Sequence, residues 1–186
     1  MAVRKGPAET IWPLKPHTRG KHEVLKQYLS AWFPILGSFA RRIAFIDGFA
    51  GPGQYSGGEY GSPIIALDVF RQHAARVKGE AVFLFIEADP ERARHLRQLI
   101  KSQPPLPTNC KYEVAPSDFE KRMTAVLDGL ASGSGLAPAF MMLDPFGVSG
   151  MPMSLIGRLL QSGKTEGASS QRNALQPYCS NYVLGV

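Results

Sequence analysis

Apolar positions in this chain follow two alternating rhythms. From Gly20 to Phe33, the residues Val24, Leu25, Tyr28, Leu29 and Trp32 recur every three or four positions, which predicts a helix with one apolar face. Thr18 marks its expected start and Pro34 its expected end. The short apolar run IAFID then reads as a strand ending at Asp47. After a glycine-rich stretch comes SPIIALDVFRQHAARV, a helix with Ser62 as expected N-cap and Pro63 at its first position.

The alternation continues with AVFLFIEAD as a strand and PERARHLRQLIKS as a charged amphipathic helix. KYEVAP gives a weaker third strand, DFEKRMTAVLDGL a helix, and APAFMMLD, beyond the flexible ASGSG, a fourth strand. Nearly continuous apolar strands separated by helices predict an α/β fold with a mostly parallel sheet and flanking helices. In such sheets the ligand sits beyond the carboxyl ends of the strands. Each predicted strand here ends near an acid: Asp47, Glu87 with Asp89, Asp118, and Asp144.

The chemistry available at those ends differs from one to the next. Asp47 is followed by Gly48, Phe49, Gly51 and Gly53, so the backbone can turn tightly and a ligand can approach without meeting a Cβ; an ordinary strand-to-helix turn has the same composition. Neither a P-loop ending nor the GxGxxG dinucleotide fingerprint is present in that turn. Gln54 to Gly61 lengthens the connection and reads as a flexible flap, with Tyr55 and Glu59 able to face a substrate. Glu87 stands where a carboxylate accepts from the vicinal hydroxyls of a ribose, and Asp89 before Pro90 fits a helix N-cap. Asp118 reads either as an acceptor for an adenine amino group or as an N-cap. Asp144, Pro145 and Phe146 offer an acceptor for an amine, a stiff turn without a donor, and an aromatic face for a planar base; a turn with a core phenylalanine is the plainer alternative.

Composition sets broad limits on this picture. A chain of 186 residues with 44% hydrophobic content suits one globular domain. No apolar run approaches the roughly 18 residues that span a bilayer, and the first residues lack a signal-peptide pattern, so the expectation is a cytoplasmic protein without membrane association. Cys110 and Cys179 form neither a disulfide framework nor a ligand set, and His17, His73 and His95 show no metal spacing, so no metal is expected. The net charge of +6 permits a nucleic-acid partner, although the arginines of RHLRQLIK also suit a solvated helix face.

The order DGFAGPG, acid, acid and DPFG at successive strand ends resembles class I S-adenosylmethionine-dependent methyltransferases, and DPFG is similar to the DPPY-type motif of members that methylate amino groups. The pieces KHEVLKQYL, IDGFAGPGQYSGGEYGSPIIAL, FIEADPERARHL and MMLDPFG resemble the three-Cys-motif partner protein family more closely, over roughly residues 18 to 160. That resemblance implies a Rossmann-like class I methyltransferase fold, an S-adenosylmethionine pocket and a partner protein carrying a three-cysteine motif. Carried onto this chain, it implies that Asp47, Phe49, Gly51 and Gly53 flank the methionine end of the cofactor, Glu87 the ribose and Asp118 the adenine. It further implies that Asp144, Pro145 and Phe146 flank the methyl acceptor, an amino group of a nucleic-acid base or other planar substrate. Lys21 and His22 would close over the pocket, with His22 as a general base or as a helix-surface or capping residue. A non-catalytic module that binds a nucleoside or the cofactor is the competing reading.

Domain boundaries follow: an N-terminal arm at 1–17, a methyltransferase-like domain at 18–166 and an atypical tail at 167–186. A full class I sheet has seven strands, whereas this pattern accounts for four before the polar sequence KTEGASSQRNALQPYCSN. The expectation is a sheet truncated after its fourth strand, since stopping there leaves an apolar edge. A naturally short chain completed by a partner is the alternative.

Overall fold

The computed structural model describes residues 9–130, 137–144 and 152–165. Helix α1 (Pro16–Gly37) leads into β1 (Arg42–Asp47), α2 (Ser62–His73) with one 3₁₀ turn at Ala74–Arg76, β2 (Glu80–Glu87), α3 (Pro90–Ser102), β3 (Cys110–Pro116), α4 (Phe119–Asp128), β4 (Ala139–Met142) and α5 (Met153–Thr165). All four strands predicted from the apolar runs are present, in the order β3-β2-β1-β4, and every pairing is parallel. This is an α/β fold of Rossmann-like order, with helices on both faces of the sheet.

Strand alternation divides the core in two. Ile43, Phe45, Phe83, Phe85 and Phe140 point to one face and pack with α1, α2 and α3, while Ile46, Leu84, Ile86 and Met141 point to the other and pack with α4 and α5. The division follows from the direction of travel. Parallel crossovers are almost always right-handed, so stepping from β1 to β2 to β3 keeps α2 and α3 on one face. Returning across the sheet to β4 puts α4 on the other. The aromatic face is dense, with Phe45 stacked on Phe140 at 5.5 Å and Phe83 meeting Phe33, Phe45, Phe70 and Phe85.

Several local expectations are corrected. Helix α1 starts at Pro16, ahead of Thr18, and Lys15 is its N-cap. It also continues through Pro34 to Gly37. Phe33 and Leu36, on either side of that proline, are buried against the sheet, and roughly 1.5–3 kcal/mol for each offsets the about 3 kcal/mol an interior proline costs. Ser62 is the first residue of α2, not its cap; Gly61 is the N-cap. Asp89 and Asp118 do cap their helices, accepting from the N–H groups of Glu91 and Arg92 and of Lys121 respectively.

Cys110 is a half-buried free thiol at the start of β3, pushed up to about 12 by burial. Cys179 and the tail from 166 onward lie outside the described residues, as does the ASGSG segment. Among the described residues no helix is long and apolar enough to cross a membrane.

Candidate functional site

Between β1 and β4 the strand order reverses, and a cavity of about 240 Å³ opens there, beyond the carboxyl ends of both strands. Asp47 at the end of β1 and Met142 and Asp144 at the end of β4 form its floor. The turn from Phe49 to Gln54 forms one wall, and Trp12 together with the first turns of α1 forms another. This crevice is where open α/β sheets bind ligands.

The glycine turn is held from both neighbouring strands. Gly48 N donates to Met142 O of β4, Ala50 N to Ile86 O of β2, and Gly51 N to Glu87 Oε2, each at 2.9 Å. His95 Nδ1 lies 2.9 Å from Pro52 O, so the tautomer with a proton on Nδ1 donates to that carbonyl. Gly51 and Gly53 have φ of 64° and 81°, the left-handed region that side chains disfavour. A Cβ on Gly53 would also run into Leu96 and Leu99 of α3. The turn is a fixed surface of backbone.

Beyond it, Gln54 to Gly61 is not an open flap. Gln54 bridges Tyr60, Tyr55 N donates to Glu59 O at 2.8 Å, Gly58 N to Tyr55 O at 2.9 Å, and Gly61 N to Gly53 O at 2.8 Å, which closes the segment into a small hairpin. Ser56 N donates to Trp12 O, and Arg19 of α1 pairs with Glu59 at 3.1 Å. Tyr55 therefore lines the cavity, as expected, whereas Glu59 is turned to α1.

Asp47 is 2% exposed. Its Oδ1 accepts from Phe49 N at 3.1 Å and its Oδ2 from Ser62 Oγ at 2.6 Å. Burial raises its pKa to about 6, against the lowering effect of those two hydrogen bonds, and the nearby Glu87 and Asp144 add to the rise. The Ser62 hydroxyl explains why that residue is not a cap: it is committed to the carboxylate. Burial also pushes Tyr55 up to about 12, assisted by Asp47 and Asp144.

Glu87 is 8% exposed, and burial raises it above the usual carboxylate range. Its oxygens hold Gly51 N and Asp89 N, at 2.9 and 2.8 Å, so it braces the glycine turn and the start of α3 at once. Neither Glu87 nor Asp118 lines the cavity, whereas Asp47, Phe49, Gly51, Gly53 and Asp144 do. Asp118 is exposed and its Oδ1 accepts from Lys121 N. Phe49 stacks on Phe119 at 5.8 Å. Pro145 and Phe146 lie outside the described residues.

Lys21 and His22 do reach the site. Lys21 Nζ pairs with Asp144 Oδ1 at 2.7 Å, tying α1 to the end of β4. His22 is 7% exposed and lines the cavity, so it is neither a surface residue nor a cap. Burial lowers its pKa, although Asp144 and Glu23 pull the other way. Trp12, Lys15, His17 and Thr18 also line the cavity and carried no periodic signal in the sequence. Trp12 is fixed by Arg92, whose guanidinium lies 4.9 Å from its ring centre, and by an edge contact with Tyr55. Among the described residues, no group of three or more His, Cys, Asp or Glu is arranged to hold a metal ion.

No family model and no curated protein matches the chain. Among solved structures it is similar to a protein from Haemophilus influenzae named as a "putative methylase", at 17% identity and a TM-score of 0.41 over 74% of this chain. The chain spans 63% of that structure's length. Strand order, not this likeness, defines the fold described above.

Proposed function

We propose that this chain is an S-adenosylmethionine-dependent methyltransferase-type domain acting on an amino group, similar in pattern to three-Cys-motif partner proteins. One observation carries the reading: the crevice at the reversal of strand order brings Asp47 and the rigid glycine turn together with Asp144 in a single cavity. The residues fit such a cofactor. Gly51 has open space where a Cβ would stand, with only Trp12 nearby, and Asp47 and Asp144 supply the acceptors that an ammonium and a sulfonium favour. Asp47, Phe49, Gly51 and Gly53 would hold the methionine end. Glu87 and Asp118, which stand outside the cavity lining, are proposed to meet the ribose and the adenine where the cofactor extends past it.

When bound, that cofactor supplies an activated methyl group, so the protein's task is alignment more than acid–base chemistry. Asp144 would accept an N–H of the incoming amine and fix its direction, with Pro145 and Phe146 completing the acceptor side. Trp12, Tyr55 and Phe49 would exclude water. The acceptor is proposed to be a nucleic-acid base or similar planar amine, and a three-cysteine-motif protein is the proposed partner. The Lys21–Asp144 pair favours a second reading, a binding module without transfer, because it occupies the carboxylate an acceptor needs.

Titration calorimetry with S-adenosylmethionine and S-adenosylhomocysteine tests the main proposal. Both are expected to bind, and Asp47→Ala is expected to remove binding. Absence of binding to the parent chain sinks the cofactor assignment. Binding without methyl transfer to oligonucleotides, in a radiolabel assay, leaves the module reading in front.

A further inference from the structure

We propose that Lys21 is a methyl acceptor within its own chain, a modification site that rests on the cofactor reading above. Its Nζ stands 2.7 Å from Asp144 Oδ1, in the cavity that also holds Asp47 and the glycine turn. Asp144 is the carboxylate assigned above to an incoming amine. Lys21 already presents an amine to it.

Position singles this lysine out. Lys15 and Lys21 both line the cavity, but Lys15 is exposed, whereas the Lys21 side chain is 34% exposed and its nitrogen meets an acid of the cavity floor. Its backbone is fixed within α1, and a flexible four-carbon stem carries the nitrogen to the end of β4. An ion pair with both partners a third exposed is weak, so Nζ can swing from the carboxylate toward a reacting carbon at small cost. Holding the nucleophile in the crevice also makes the encounter intramolecular, which favours reaction there over reaction at a free surface lysine.

The step balances within the site. One ammonium proton of Lys21 passes to Asp144 and on to water, which frees the electron pair of the nitrogen. That pair forms the N–CH3 bond as the S–CH3 bond of the bound sulfonium donor breaks, and the electrons of the broken bond stay on sulfur in S-adenosylhomocysteine. The methylated nitrogen is charged again and keeps pairing with Asp144 until a last methyl removes its last N–H. Methylation would thus loosen the tie between α1 and β4 by degrees.

The full chain incubated with S-adenosylmethionine carrying a deuterated methyl group, then digested and mapped by tandem mass spectrometry, tests this. Label is expected on Lys21 at least about tenfold above the exposed Lys15 and Lys26, and lost in Lys21→Arg and in Asp47→Ala. The labelled fraction should grow equally fast at every protein concentration; a rate that rises with concentration overturns transfer within the chain. Shielding gives a readout without transfer. With S-adenosylhomocysteine bound, acetylation of Lys21 by acetic anhydride is expected to slow severalfold while that of Lys26 holds, and an unchanged rate at Lys21 overturns the proposal. Calorimetric binding with Lys21 labelled no more than Lys26 also overturns it and leaves the cofactor reading standing. Absence of binding removes both.

Discussion

Asp47 shows how one side chain trades stability for a poised site. Its folded pKa of about 6 lies above the ordinary value of 3.8, so between those values the folded state holds a proton that the unfolded chain releases. The contribution is fully present below about pH 4 and is lost as pH rises through about 6, on the order of 3 kcal/mol in all. Asp47→Asn keeps an acceptor for Phe49 N and a partner for Ser62 but removes the charge. It is expected to raise the melting temperature at pH 7.5 by several degrees and to flatten its dependence on pH from 4 to 7; calorimetric scans across that range check it, and an unchanged slope refutes the assignment. The acids at the strand ends were legible in the sequence because each follows an apolar run. Ser62 was not, because a serine before a proline has the same sequence signature whether it caps a helix or bonds a distant carboxylate. His22 was visible as a helical residue, but its burial depends on the arm and hairpin that cover it.

Among the elements, α1 was the least faithfully foretold. Its apolar spacing identified the helix, yet local rules placed both ends wrongly, because tertiary burial of Phe33 and Leu36 carries it through a proline. That proline remains a cost. Pro34→Ala restores a backbone donor toward Ser30, less the entropy the proline removes from the unfolded chain. A net gain of about 1–2 kcal/mol is expected, read as a rise of roughly 2–8 °C in melting temperature. A fall would mean that the ring's own packing outweighs the missing bond. By sequence alone the 54–61 segment reads as a flap, because six glycines between 48 and 61 suggest freedom. Cross-bonds to the chain on either side, and to Trp12 and Arg19, remove that freedom, and no local pattern announces them.

At the scale of the whole molecule, the four-stranded order and the position of the crevice follow from the alternation of apolar runs and helices, which is why the sheet was legible. The contribution of residues 12–18 was not, since a polar arm has no periodicity to fix where it lies. Every ion pair among the described residues has at least one partner more than a third exposed. Such pairs contribute little, so raising sodium chloride from about 0.05 to about 1 M is expected to change the urea unfolding free energy by less than about 1 kcal/mol. A loss of several kcal/mol would show that these pairs form a cooperative network. The Lys21–Asp144 pair is weak in that sense, yet it joins positions 123 apart in the chain. During synthesis, helix α1 leaves the ribosome on the order of ten seconds before the acid that will meet its lysine. The pocket is therefore assembled last, and a nascent chain halted before β4 would display Lys21 without its carboxylate, open to whatever anion reaches it first.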